Sequence, residues 1–164
     1  MIISFETGEI LNLPLLSLVG SDLSGREFHR AIFDKLDLTE ADFTGANLRN
    51  ASFVGAVMVR TMFKGCALMN ADFRGAKIME VNFSESLAIA TDFSNADISM
   101  VRFKGADLRG ANFSGANLRM IDLSAAELEG IVLIGALYDN ETVWPVGFDP
   151  LTRGAIKING GAAT

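Results

Sequence analysis

Cysteine, proline and histidine are scarce in this chain of 164 residues, and each scarcity excludes a class of protein. The single cysteine, Cys66, excludes an intrachain disulfide and a cysteine-rich metal site. Three prolines and 16 glycines fit neither collagen nor a proline-rich linker. No apolar run reaches the roughly 18 residues of a membrane span, and the first residues lack the basic segment of a secretory signal. We therefore expect a cytoplasmic protein without a membrane segment.

The chain does have enough apolar material for one domain with a sizeable buried interior. Apolar residues make up 49% of the sequence and charged residues 21%, a composition that excludes intrinsic disorder. Twenty acidic and 14 basic side chains give a formal net charge of −6. This negative charge disfavours direct binding to nucleic acid.

The sequence repeats every five residues. From Leu23 to Leu133 every fifth residue is large and apolar, with Ala88 as the exception. Alanine is the commonest residue two positions before these centres, Asp or Asn one position before, and Gly two positions after. Neither a helix nor an extended strand has a period of five. The pattern therefore predicts a chain that bends once per pentad, with the large and small residues pointing inward and glycine at the bends.

The spacing of phenylalanine predicts how many pentads make one turn. From Phe43 to Phe113 every tenth residue is phenylalanine, and the centres between them contain none. With four pentads in a turn of 20 residues, the rings form two columns on opposite walls, whereas a turn of 15 residues would scatter them. We therefore expect an all-β coil of square cross-section, with backbone hydrogen bonds between successive turns.

Three segments carry a resemblance to the pentapeptide repeat family and its motif A(D/N)LxX. They are residues 41–45 (ADFTG), 46–50 (ANLRN) and 106–110 (ADLRG). The resemblance implies a right-handed quadrilateral parallel β-helix, here of about six coils. The family includes gyrase-binding proteins of the quinolone-resistance type and many cyanobacterial proteins. Residues 138–150 resemble the tail of cyanobacterial members in particular.

The two ends of such a coil need caps, because an open end exposes backbone and core. We expect a cap in residues 1–20, either a hairpin or an extended segment, a β-helix over 21–138 and a capping tail over 139–164. Val132 and Ile134 point outward, so Trp144 and Phe148 of the tail are expected to cover them. The alternative is a dimer contact through this end. Residues 154–164 are expected to fray.

Outward apolar side chains are the candidate docking site, because repeats of this kind normally expose polar residues. They lie together in two successive coils, between two arginines. The set consists of Ala67, Met69, Leu87, Ile89, Arg49 and Arg109. A second interpretation remains open for part of it: Leu87 turns inward in a bulge, since Ala88 is too small to fill its core position.

Groups suited to catalysis or cofactor binding do not converge in this sequence. His29 follows a centre and is expected on the surface, and Cys66 takes an inward position as a buried thiol. Stacked acids such as Asp72 and Asp92 are expected to form a solvated ladder, and side chains fill the interior and leave no ligand cavity. We therefore expect no enzyme activity, no cofactor and no metal.

Two functions remain. The first is a non-enzymatic scaffold whose side walls dock an unidentified protein partner, as a monomer or an end-to-end dimer. The alternative is a DNA-mimicking inhibitor of gyrase, which requires an acidic rod. Residues 21–140 carry 16 acidic and 12 basic side chains, whereas duplex DNA of the same length of about 29 Å carries roughly 17 negative charges.

Overall fold

The structure, a computed structural model, describes residues 1–159 and consists of short strands joined by tight bends. The strands are β1 (Ile2–Phe5), β2 (Ile10–Asn12), β3 (Ala31–Ile32), β4 (Val57–Val59), β5 (Lys77–Met79), β6 (Asp97–Ser99), β7 (Leu137–Tyr138) and β8 (Ile156–Lys157). One turn of 3-10 helix spans Leu151–Arg153. No helix in residues 1–159 is long and apolar enough to cross a bilayer.

Residues 20 positions apart pair in parallel throughout the repeat region. One such column runs from Asp22 through Asp42, Met62, Asn82 and Arg102 to Asp122. Strands β4, β5 and β6 pair in the same register. Because a turn of the coil therefore takes 20 residues, four pentads make one turn, and the chain forms a β-helix solenoid as predicted.

The bends place one residue per pentad in the left-handed region of backbone conformation. Every fifth residue from Gly20 to Gly135 has a φ between 52° and 71°, with Ala125 as the exception. Glycine adopts this conformation without steric cost, whereas other residues are strained there. Twelve of these positions are not glycine, Ala90 among them with φ of 55°. The ladder of hydrogen bonds between coils therefore holds several bends that local sequence disfavours.

Phenylalanine forms two columns in the interior. Phe33, Phe53, Phe73, Phe93 and Phe113 stack with ring centroids 4.6–5.0 Å apart. Phe43, Phe63, Phe83 and Phe103 stack at 5.1–5.3 Å. Rings of one column meet rings of the other edge to face, with planes 80–90° apart. Both stacking and edge-to-face contacts are favourable aromatic geometries, so the columns fill the space between the walls.

The N-terminal residues form a hairpin, one of the two expected arrangements. Strands β1 and β2 pair antiparallel around the turn Glu6–Glu9, and β1 also pairs antiparallel with β3 of the first coil. Ile3 and Leu13 are buried against the core. The hairpin thus lies across the first coil as a three-stranded sheet of order β2-β1-β3.

The C-terminal tail continues the solenoid with one extra residue. Val143 pairs with Asp122, 21 positions earlier, and the Leu123 N–H donates to the Val143 carbonyl at 2.8 Å. Trp144 therefore occupies the position equivalent to Leu123 one turn later. There it stacks on Phe148, with ring centroids 5.2 Å apart. Strand β8 pairs in parallel with β7.

Two expectations about this tail are wrong. Trp144 and Phe148 do not cover Ile134, which remains 68% exposed, although Val132, named with it, is half-buried; Trp144 instead contacts Tyr138 and Phe148. Residues 154–158 do not fray: the Ile156 N–H donates to the Ala136 carbonyl at 2.7 Å and the Ile158 N–H to the Tyr138 carbonyl at 2.8 Å. Residues 160–164, part of the same expectation, lie outside the described residues.

Candidate docking face

The candidate site lies on one flat wall of the solenoid, where the residues just before and after each core centre face outward. Asn47, Ala67, Leu87, Asp107 and Glu127 form one column of this wall in consecutive coils. Met69 and Ile89 stand in the neighbouring column, since each follows its core centre by one residue. We call Ala67, Met69, Leu87 and Ile89 the apolar patch.

Leu87 points outward, so the bulge interpretation is wrong. Ala88 is fully buried at the core position, while Leu87 is 45% exposed. The Leu87 N–H donates to the Cys66 carbonyl at 2.9 Å, and the Leu87 carbonyl accepts from the Leu68 N–H at 2.8 Å. Turning Leu87 inward would break these bonds, and each buried backbone group left unpaired costs about 1–3 kcal/mol. The ladder therefore keeps its register and exposes the leucine.

The rest of the apolar patch is half-buried. Ala67, Met69 and Ile89 have intermediate exposure, and the Asn70 N–H donates to the Ile89 carbonyl at 3.1 Å. Adjacent coils lie about 4.8 Å apart, so the four side chains cover about 10 Å along the rod. Because the backbone beneath them is hydrogen-bonded on both sides, the backbone of the patch needs no ordering on binding.

The two flanking arginines differ in their surroundings. Arg49 is exposed and forms no ion pair within residues 1–159. Arg109 contacts the Asp107 carboxylate at 2.6 Å and the Glu127 carboxylate at 3.5 Å. Hydrogen bonding to Arg109 lowers the pKa of Asp107, and the same contact raises the pKa of Arg109. Arg49 is therefore the guanidinium left available to a ligand, on one side of the apolar patch.

Cys66 lies directly beneath the patch and is buried, as predicted. Its thiol donates to the Phe43 carbonyl at 2.8 Å. Burial raises the pKa of this thiol to about 12. Because the thiolate is the reactive form, Cys66 is chemically inert at neutral pH.

The other polar residues singled out in the sequence lie on the surface, where each contacts one or two neighbouring polar groups. His29 is exposed, and its Nε2 lies 3.2 Å from the Asn50 amide nitrogen. Asp72 and Asp92 stack in adjacent coils as expected, and Arg74 contacts the Asp72 carboxylate at 2.6 Å. In residues 1–159 no group of three or more His, Cys, Asp and Glu side chains is arranged to hold a metal ion.

The structure also shows features that the pentad pattern did not reveal. Met100 and Met120 occupy bend positions in successive coils and are 49% and 58% exposed. Their signal in the sequence is methionine where the repeat favours glycine. A surface cleft of about 490 Å³ opens beside Ala125, between residues 101–104 and Ser124. This cleft lies on the surface, and side chains fill the interior as expected.

Comparison with known proteins places these features in a family. The family model described as a pentapeptide repeat region matches residues 26–87 and 56–133, which together cover about two thirds of the chain. No curated protein sequence matches this chain.

Solved structures of pentapeptide repeat proteins match this chain. QnrB1, a plasmid-mediated fluoroquinolone resistance protein, superposes with a TM-score of 0.63 at 20% identity over 86% of this chain and 84% of its own. The protein alr5209 from Nostoc Pcc 7120 is 26% identical over 71% of this chain and 84% of its own, with a TM-score of 0.41. The repeat motif, the 20-residue coil and the family match agree: the chain belongs to the pentapeptide repeat family.

Proposed function

We propose that this protein is a non-enzymatic scaffold that docks a protein partner through the apolar patch. The observation that carries the proposal is the outward position of Leu87 in an unbroken ladder, next to Met69 and Ile89. Exposed apolar side chains that lie together are a common mark of a protein interface. We include a cytoplasmic location in the proposal, which cell fractionation tests directly.

The solenoid would serve as a rigid support for this surface. We infer a right-handed rod of about six coils, closed by the hairpin at one end and by the tail at the other. In such a rod each coil is fixed by the coils beside it, so the outward side chains keep constant spacing. Binding therefore costs little conformational entropy on the scaffold's side, which favours affinity.

The chemistry of the face indicates what the partner offers. The apolar patch requires apolar side chains, and Arg49 on one side favours a carboxylate beside them. Asp107 and Glu127 occupy the opposite side together with Arg109, so these three groups carry a net charge of one negative and do not attract a second carboxylate. We therefore propose a partner segment that is apolar in its centre and acidic at one end.

Leu87→Asp tests this proposal. A carboxylate in the middle of the patch leaves a desolvated charge in the interface, so the partner recovered from the native cell by wild-type protein should be lost. Val54→Asp is the control, since Val54 is an apolar residue that is half-buried and points outward from a different wall. If wild type and Leu87→Asp recover the same amount of partner, the apolar patch is not the docking site. If Val54→Asp loses the partner as fully as Leu87→Asp does, the docking site is not limited to this wall.

A DNA-mimicking inhibitor of gyrase is the less supported function. Its requirement for a continuous acidic surface conflicts with the basic side chains along the rod, such as Arg102 and Lys104 in consecutive outward positions. A supercoiling assay with purified gyrase distinguishes the two functions. The scaffold proposal predicts no inhibition when the protein is in large excess over the enzyme. Inhibition that weakens when basic residues are substituted onto the surface of this protein would favour the DNA mimic.

A further inference from the structure

We infer that the N-terminal hairpin is a homodimer interface, in which strand β2 pairs antiparallel with β2 of a second copy. This inference goes beyond the proposed function and does not involve the apolar patch. It starts from β2, the outer strand of the sheet β2-β1-β3. Such an outer strand offers backbone donors and acceptors to another chain.

The hydrogen-bond pattern of the hairpin defines which groups of β2 are free. The Phe5 N–H donates to the Glu9 carbonyl at 3.0 Å, and the Leu13 N–H donates to the Met1 carbonyl at 2.8 Å. Bonded and non-bonded pairs alternate in antiparallel strands. The backbone groups of Ile10 and Asn12 therefore point away from β1, and both residues are exposed.

The side chains around this edge suit burial against an identical surface. Ile2, Ile10 and Leu16 are 58%, 65% and 104% exposed. Residues 10–17 (ILNLPLLS) carry no charge, whereas natural edge strands are commonly protected by a lysine or another charged residue. Burial of this segment would therefore desolvate no ionised side chain of its own.

A two-fold axis at Leu11 gives a pairing that satisfies these groups. Ile10 of each copy faces Asn12 of the other, and the free N–H and carbonyl groups of both residues form four hydrogen bonds. Glu9 lies beside Leu13 of the second copy, so the two Glu9 carboxylates stay about 13 Å apart along the strands, beyond the screening length of about 8 Å at physiological salt. Pro14 lacks an N–H and ends the ladder.

The second copy is favoured over a foreign strand because the pairing extends the existing sheet symmetrically. Strands β3, β1 and β2 of one copy continue into β2, β1 and β3 of the other, and every neighbouring pair is antiparallel. The opposite end of the rod is less suited to this role, since its outer strand β8 carries Lys157 and its tail already packs Trp144 on Phe148. The end-to-end dimer left open by the sequence is thus assigned to the hairpin.

Sedimentation equilibrium of the full chain is the first test. A contact of this size is weak, so we expect the average mass to rise from one chain toward two between about 5 µM and about 0.5 mM. Asn12→Pro removes an outward N–H without touching a bond to β1, and proline is tolerated at such edge positions. This variant should remain monomeric with an unchanged circular dichroism spectrum. A monomeric wild type at every concentration, or a folded Asn12→Pro variant that dimerises as well as wild type, overturns the inference.

Disulfide trapping tests the register independently. In the inferred dimer Leu11 faces Leu11 in a non-hydrogen-bonded pair, with Cα atoms about 4.5 Å apart, a distance that a disulfide can span. Leu11→Cys should form a covalent dimer on mild oxidation, and the buried Cys66 does not compete. Thr7→Cys, at the hairpin tip, is the control because it lies far from the axis. Equal cross-linking of the two variants, or none in Leu11→Cys, contradicts the pairing.

Discussion

The ring of Phe73 lies on the ring of Phe53, with centroids 4.6 Å apart and planes within 6° of parallel, although 20 residues separate them. The edge contacts of Phe73 reach Phe63 and Phe83 of the other column at 5.7 Å and 5.6 Å. One side chain thus connects three coils, and the aromatic columns transmit packing along the rod.

Truncation of this side chain should strongly destabilise the protein. Phe73→Ala leaves a cavity between stacked rings and should lower the free energy of unfolding by about 3–5 kcal/mol. Phe73→Leu fills part of the space and should cost less. Urea denaturation monitored by circular dichroism measures both, with Arg74→Ala as the surface control. A loss of less than about 1 kcal/mol in Phe73→Ala, typical of a surface change, would contradict the central role of the column.

The left-handed bends predict that opposite substitutions at two bends have opposite effects. Ala90 has φ of 55°, so Ala90→Gly should relieve strain and raise the free energy of unfolding by about 0.5–1 kcal/mol. At Gly75, φ is 63° and an added Cβ meets no atom within 4 Å. Gly75→Ala should therefore cost about 1 kcal/mol through backbone strain alone. Thermal unfolding checks the pair, and changes of the same sign would refute the explanation.

The buried thiol predicts a specific dependence of stability on alkaline pH. Because burial raises the pKa of Cys66 to about 12, the unfolded chain releases the thiol proton near its ordinary pKa while the folded chain retains it. The stabilisation is complete below about pH 8 and declines as pH rises from about 9 toward 12, by at most about 1.4 kcal/mol per pH unit.

Wild type and Cys66→Ala separate this contribution from other groups that titrate in the same range. The advantage of wild type over Cys66→Ala in urea unfolding with reductant should shrink between pH 8 and pH 10.5. If the difference in unfolding free energy between wild type and Cys66→Ala does not change over this range, the folded state does not raise the pKa of the thiol.

Asp139 links the last regular coil to the tail and should be important for the junction. Burial by itself raises the pKa of Asp139, but hydrogen bonds from the Met120 N–H, the Glu141 N–H and Thr142 outweigh it, so the pKa is lowered. Asp139→Ala leaves these donors unpaired and should cost about 1–3 kcal/mol. The tail should also become more sensitive to limited proteolysis.

The lowered pKa also gives this carboxylate a defined pH dependence. A group with a depressed folded pKa stabilises the protein above its unfolded value and loses that contribution as pH falls through the folded value. The difference in unfolding free energy between wild type and Asp139→Ala should therefore be constant near neutral pH and narrow below about pH 4. A difference independent of pH would assign the effect to packing instead of charge.

Much of the fold could be predicted because the conformation of each pentad depends mainly on its own five residues. The inward position of Phe43, the outward position of Asp42 and the bend at Gly45 follow from side-chain size, polarity and backbone freedom within five residues. The phenylalanine spacing then determined four pentads per turn, since that number brings like rings together. The position of Met69 in the candidate patch followed from the same periodicity.

Other features depend on contacts between coils. Whether Leu87 turned inward beside Ala88 depended on hydrogen bonds to Cys66 and Leu68, which compete with the gain from filling the core. The pairing of Arg109 with both Asp107 and Glu127 likewise requires the neighbouring coil. Among the residues that the structure describes, Arg49 forms no such ion pair, a difference that two equally spaced arginines do not reveal in the sequence.

The sequence alone therefore determined the repeat, the direction of most side chains and the aromatic columns, because these arise within a pentad or from a simple multiple of it. Only the tertiary structure decided the path of the tail, where the pattern ends and one extra residue separates Asp122 from Val143 in the ladder. It also decided which edge of the hairpin stays open. Both features depend on which backbone groups form hydrogen bonds between strands or coils. These groups belong to residues that are distant in sequence, so a local pattern does not determine them.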